Sequence, residues 1–334
     1  MHAIQIKAPG KIEYISCDST PLKKGEVRIE VAVAAVCGSD IKNIQNPQQL
    51  PMIPGHEFSG RVVEIGEDVN EVLKIGDRVT IFPMISCMAC EACNEKRFRD
   101  CEKKIGVGFN RSGAFATEVN IDSRFVIPIS DDITFEQGAL LEHLCCGYRL
   151  TQEIINSNKS NGSQILIIGD GPIALADLQF LKNANYNHIF VIGKRKSRLE
   201  IFLEMGAEKV FDIDELDALK SLSFDICIFA APADSVLSEI LSLFKSDAII
   251  YPQTRIRDNS IMDYIKHNGL VLGRAFAYYF EDFKVVMDLI LNKQIKTDEL
   301  ISKKISLKEY VDSYSINPME KERAKTLIFN EQFR

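Results

Sequence analysis

No stretch of this chain approaches the roughly 18 consecutive apolar residues that a bilayer crossing needs. A long basic run is missing too, and the formal net charge is −7. Both exclude the electrostatic footprint on which nucleic-acid binding depends. The opening MHAIQIKAPGKIEY has neither the basic nor the apolar region of a secretory leader, which makes a cytoplasmic setting the expectation. Internal repeats and low-complexity tracts are absent as well. Neither nucleic acid nor membrane is therefore an expected partner, and a small molecule is.

The 334 residues, 46% of them hydrophobic, are enough for two domains with cores of their own. Nine cysteines in a chain expected to stay reduced point to metal before disulfides. Two styles of sequence alternate. Up to about residue 130 the pattern is strand-like, with EVRIEVAVAAV, GRVVEIG and DRVTIF separated by Gly and Pro turns. From about 164 short apolar runs alternate with helical stretches: QILIIG, ALADLQFLKNA, HIFVIG, SRLEIFLEMGA, FDICIFAA and SDAIIYPQ. Strand, helix and parallel strand in turn define a doubly wound α/β domain. The segment VVMDLILNK reads as a helix leaving it. The fold class is therefore α/β, with a doubly wound parallel-sheet domain at 151–289 inserted late into a mostly β domain at 1–150 and 290–334.

QILIIGDGPIALADLQF carries Gly169, Gly171 and Ala174 directly after a strand and at the opening of a helix. In this G-x-G-x-x-A pattern Gly169 permits the tight turn, Gly171 lets a pyrophosphate approach the backbone, and Ala174 keeps helix and strand close. Pro172 suits the first helical turn, where its missing N–H costs nothing. With Ile173 these residues form the expected dinucleotide turn, whose free N–H groups face phosphate. An ordinary βα turn is the plain alternative.

Cys87, Cys90, Cys93 and Cys101 stand in SCMACEACNEKRFRDC. Four thiolates in one loop match a closed tetrahedral zinc site, structural because no coordination position is left for substrate. A second, open site is suggested by Cys37 in VCGSD, His56 in GHE and Glu142 in GALLEHLCCGY. A soft thiolate and an imidazole suit zinc. The carboxylate in its apolar stretch needs a cation or hydrogen-bond donors. Taken singly, each of the three is as well explained by an ordinary buried or hydrogen-bonded residue.

CGSD at 37–40, GHEFSG at 55–60, GDRV at 76–79, the four-cysteine loop, LLEH at 140–143 and GDGPIA at 169–174 together resemble the zinc-dependent medium-chain alcohol and polyol dehydrogenases, along essentially the whole chain. The resemblance implies a GroES-like catalytic domain and a Rossmann coenzyme domain. It implies catalytic zinc ligands at Cys37, His56 and Glu142, with Glu57 as an alternate or water-linked ligand. Ser39 would begin the proton path, and Asp40 would accept a hydrogen bond from His56 and orient its ring. A glutamate in the third position is similar to the sorbitol, threonine and galactitol-phosphate branch, although His143 stands where that branch usually has proline. Assembly as a homodimer or homotetramer is the family expectation. Lys42, Arg111, Arg149 and Arg274 are candidate contacts to a substrate phosphate or hydroxyl.

One absence bears on the cofactor. Relatives that use NAD close the second strand of the βαβ unit with a carboxylate that binds the ribose hydroxyls. Here the strand ends VIGKRKS. Gly193 leaves room, and Lys194, Arg195 and Lys196 can supply charge-assisted hydrogen bonds to a 2′-phosphate. NADP(H) is thus expected over NAD(H), against the plainer reading of a solvated helix start. The expected activity is interconversion of a secondary alcohol (polyol, sugar phosphate or amino-alcohol) with its ketone. The alternatives are an NAD-dependent polyol or threonine-type dehydrogenase, a ribulose 5-phosphate reductase, and a non-catalytic nucleotide-binding relative.

Overall fold

The computed structural model describes residues 1–69, 72–95, 98–274, 278–316 and 324–333. Two compact units divide it: Met1–Glu142 with Ile301–Arg334, and His143–Leu300. The changes of sequence style placed these boundaries near 150 and 290. The division instead falls within the helix Phe135–Asn156, whose continuous hydrogen bonding leaves no break in composition to mark it. Among the described residues no helix is long and apolar enough to cross a membrane.

The first unit is built on a seven-stranded sheet with the strand Glu26–Ala35 near its middle. Glu57–Ile65, Glu118–Asp122 and Lys325–Phe329 all pair with that strand antiparallel. Ala35 lies opposite Glu57 in one ladder and opposite Leu327 in the other. This register draws three distant segments to one end of the strand. Cys37 leaves that end, His56 and Glu57 enter beside it, and Lys325 arrives from the other side.

In the second unit, the strands β1 (Ile165–Ile168), β2 (Ile189–Gly193), β3 (Lys209–Asp212), β4 (Phe224–Phe229), β5 (Phe244–Pro252) and β6 (Val271–Leu272) form one sheet. Its order is β3-β2-β1-β4-β5-β6, and every pairing is parallel. This is the doubly wound nucleotide-binding order, with the strand sequence reversing beside β1. Both β1 and β2 are buried along their whole lengths. That burial is why they read as continuous apolar runs rather than as alternating strands. Leu166, Ile168, Phe190, Ile192, Cys227 and Phe229 stand in the core they build. Helix α1 (Pro172–Asn183) follows β1 and helix α2 (Lys196–Glu204) follows β2.

Candidate metal and cofactor sites

Among the described residues, two groups bring their ligand atoms within 4.8 Å of one another: Cys87, Cys90, Cys93 and Cys101, and Cys37, His56 and Glu57. In the first, Cys87 Sγ lies 3.8 Å from Cys93 Sγ, and Cys90 Sγ lies 3.4 Å from Cys93 Sγ. Four sulfurs at about 2.3 Å from a tetrahedral zinc stand about 3.8 Å apart; disulfide sulfurs are bonded at about 2.0 Å. The loop is therefore shaped for a metal and not for bridges. Backbone N–H groups of Ala89 and Cys90 donate to Cys87 and lower its thiol to about 6, which favours the thiolate a metal needs.

The second group is assembled by Asp40, fully buried on the first turn of the helix Gly38–Gln45. Its Oδ2 accepts from the Cys37 N–H at 2.9 Å. Its Oδ1 accepts from the Gly55 N–H at 3.3 Å and lies 3.0 Å from His56 Nδ1. One carboxylate thus ties together the two segments that carry Cys37 and His56. It also engages Nδ1 of the imidazole, which leaves Nε2 as the ligand nitrogen. Burial alone would lower the His56 pKa, but the charge and hydrogen bond of Asp40, aided by Cys37, raise it well above its ordinary value. A group this strongly proton-binding suits a cation in the proton's place. Ser39 is half-buried on the same turn.

Glu57 is the third member of the group, and it holds a partner that the sequence did not reveal. Lys325 is buried and donates to both Glu57 carboxylate oxygens, one of them at 2.6 Å. Burial pushes the Glu57 carboxyl up, Lys325 opposes that, and the nearby Glu142 charge adds to it. The buried ammonium is held charged because Glu57, Cys37 and Glu142 together outweigh its loss of hydration. Glu142 is thus close enough to act electrostatically on both partners, yet its carboxylate does not join Cys37 and His56 within 4.8 Å. The signal available in sequence was the need of a buried carboxylate for a cation. Applied to Glu57 as well as Glu142, it asks for a lysine such as the one opening the apolar strand KTLIF.

In the second unit, the dinucleotide turn has the shape its residues imply. Gly169 has φ +135, where a side chain would be strained, and a Cβ there would stand 3.0 Å from the Ala231 Cβ. A Cβ on Gly171 would meet nothing within 4 Å. Gly171 caps α1 with Pro172 in the first turn, and Ala174 is buried against the strand. The open space lies over the N-terminus of a twelve-residue helix, an arrangement that fits a phosphate. Ile173 is half-buried beside it.

The segment after β2 differs from the sequence expectation in one respect. Lys194 and Lys196 are exposed. Arg195, however, is ion-paired with Asp170 of the glycine turn, Nη1 to Oδ1 at 3.1 Å. A Cβ on Gly193 would lie 2.7 Å from the Asp170 Cβ and 2.8 Å from Leu199 Cδ2. Glycine at 193 therefore makes room for Asp170, and the space is not left empty for a phosphate. The basic first turn of α2, unfavourable against the helix dipole, is offset by this carboxylate.

Two of the proposed substrate contacts have structural partners. Arg111 pairs with Glu26 at 2.8 Å and donates to the Asn120 carbonyl at 2.7 Å. Arg149 pairs with Asp282 and lies over the Tyr279 ring, 4.5 Å from its centroid. Lys42 and Arg274 are exposed.

Residues 23–131 match the model of the alcohol dehydrogenase GroES-like domain. D-arabitol-phosphate dehydrogenase of Enterococcus avium is 28% identical over 98% of this chain and 97% of its own length. The fold matches that of a short chain alcohol dehydrogenase, rspB, from Escherichia coli CFT073, complexed with NADH. That match has a TM-score of 0.86 and 25% identity, and covers 99% of each chain. Residues 23–131 thus carry the alcohol dehydrogenase GroES-like domain, and along its whole length the chain is similar to medium-chain alcohol and polyol dehydrogenases. It is an oxidoreductase of that kind, with an alcohol or polyol as substrate and a nicotinamide cofactor. Sorbitol dehydrogenase of Bacillus subtilis is 32% identical over a shorter match, 59% of this chain and 57% of that protein.

Proposed function

We propose that this dehydrogenase interconverts a secondary alcohol and its ketone with NADP(H) favoured over NAD(H), at a zinc held by Cys37, His56 and a glutamate. The observation that carries the reading is the Cys37–His56–Glu57 group, with His56 and Glu57 buried and Cys37 half-buried, whose three ligand atoms lie within 4.8 Å of one another. When bound, the metal would polarise an alcohol or carbonyl oxygen and the nicotinamide would exchange the hydride. The chain's own residues do the rest. Asp40 fixes the ring and tautomer of His56, Lys325 holds Glu57 in place, and Glu142, close enough to act electrostatically on Glu57 and Lys325, is the alternate ligand. Ser39 is the first group of the path by which the substrate proton leaves. Gly169 to Ala174 receive the pyrophosphate, and the exposed Lys194 and Lys196 favour the 2′-phosphate.

A polyol or ketose is the proposed substrate class. A phosphorylated one is supported by the similarity to an arabitol-phosphate dehydrogenase over the whole chain. A cytoplasmic setting agrees with nine cysteines that are all free. A panel of polyols and polyol phosphates with each dinucleotide, followed by nicotinamide absorbance, tests the activity. Silence across the panel, with cofactor still bound, would make the protein a non-catalytic nucleotide-binding relative.

Elemental analysis of protein purified without chelator is expected to give about two zinc per chain. Cys93→Ser is expected to remove about one of them and to lower the melting temperature, while properly folded variant keeps its turnover. Full zinc content in that variant would remove the structural metal from the four-cysteine loop.

A further inference from the structure

A carboxylate stands at the end of β2 after all, contributed by the glycine turn instead of the strand. Asp170 Oδ2 accepts from the Lys194 N–H at 3.0 Å and the Arg195 N–H at 2.9 Å. Its Oδ1 takes Arg195 Nη1 at 3.1 Å and lies 3.7 Å from Arg198 Nη1. A Cβ at 193 would stand 2.7 Å from the Asp170 Cβ and 3.3 Å from its Cγ, so the Asp170 side chain fills the space beside the position from which a strand-borne acid would project. We infer that Asp170 is the specificity-determining residue of the cofactor site, replacing the missing acid in space and restraining the discrimination between phosphorylated and unphosphorylated dinucleotide. This rests on the reading of the 193–198 segment as the site of the adenosine ribose.

The charge balance gives the direction. Without Asp170 the segment would present the exposed Lys194 and Lys196 and the half-buried Arg195 to a phosphate. With it, the Arg195 guanidinium is already neutralised. The Asp170 side chain is 10% exposed and that of Arg195 is 32% exposed, so this pair is less screened than the exposed lysines beside it. A carboxylate accepts about four hydrogen bonds. Two backbone N–H groups and Arg195 supply three, and one acceptor position remains for a ribose hydroxyl. A 2′-phosphate brought to the same place meets that negative charge. The residue therefore opposes NADP(H) and tolerates NAD(H).

The test uses the zinc-loaded full chain and two probes that need no hydride chemistry, 2′,5′-ADP and ADP, titrated by calorimetry. Asp170→Asn keeps the shape and removes the charge. The preference for 2′,5′-ADP over ADP is expected to rise about tenfold or more in this variant. In wild type, Arg195→Ala is expected to change 2′,5′-ADP binding by no more than about threefold, as for other partly exposed pairs. In the Asp170→Asn background it should cost clearly more. A preference that stays put or falls in Asp170→Asn overturns the inference, because Asp170 would then serve to aim Arg195 at the phosphate. Should Asp170→Asn fail to fold, a tenfold or greater loss in the single Arg195→Ala variant overturns it equally. The wild-type preference tests the NADP(H) reading and the change on substitution tests Asp170, so either can fail alone.

Discussion

His56→Ala is expected to cut turnover about a thousandfold or more, since polarisation of the reacting oxygen by a metal is worth several kcal/mol. It should also lower the zinc content by about one per chain while cofactor affinity stays close to wild type. The imidazole is buried, with Nδ1 facing Asp40 at 3.0 Å, and alanine can supply neither the ligand nitrogen nor the anchor for Asp40. Metal analysis beside steady-state kinetics separates this from simple misfolding, because the four-cysteine site should keep its ion. Wild-type metal content in the variant would remove His56 from the ligand set. The two glutamates are distinguished in the same way. With Glu57 as third ligand, Glu57→Gln loses metal, whereas Glu142→Gln keeps it and still lowers turnover sharply. The reverse pattern transfers ligation to Glu142, the ligand expected from the sequence.

Lys325→Met is expected to have the largest effect on stability. It leaves the Glu57 carboxylate, fully buried and held through both oxygens, without its cation. Breaking a buried pair in this manner costs about 3–5 kcal/mol. A bound zinc would compensate part of that loss, because it binds the native state and supplies the missing positive charge. The variant should therefore unfold at much lower denaturant than wild type in the presence of chelator. The gap should narrow when zinc is in excess. Lys325→Arg, which keeps the charge, should lie between the two. If Lys325→Met unfolds like wild type with and without zinc, the pair contributes nothing net and Glu57 is satisfied in another way.

What the residues alone determined here is local in origin. The four-cysteine loop is legible because its ligands lie within one short segment, and four thiolates in a reduced chain leave little except a metal. The doubly wound unit is legible because strands buried on both faces must be apolar throughout, and the glycine turn because close approach to a phosphate tolerates almost no side chain. Cys37 and His56 could be suspected from their neighbours in sequence. Which carboxylate stands with them depended on the register of two ladders, where Ala35 faces both Glu57 and Leu327. That register also brings Lys325 to a partner 268 residues away. Asp170 is hidden for a different reason. Its place in the fingerprint accepts many residues, so nothing in the pattern marks it, and only the parallel pairing of β1 with β2 sets it against Gly193 and Arg195. Sequence fixes local chemistry through residue type and spacing. The pairing of one charge with another across the sheet belongs to tertiary structure, because electrostatic energy depends on distance and burial, and chain order specifies neither.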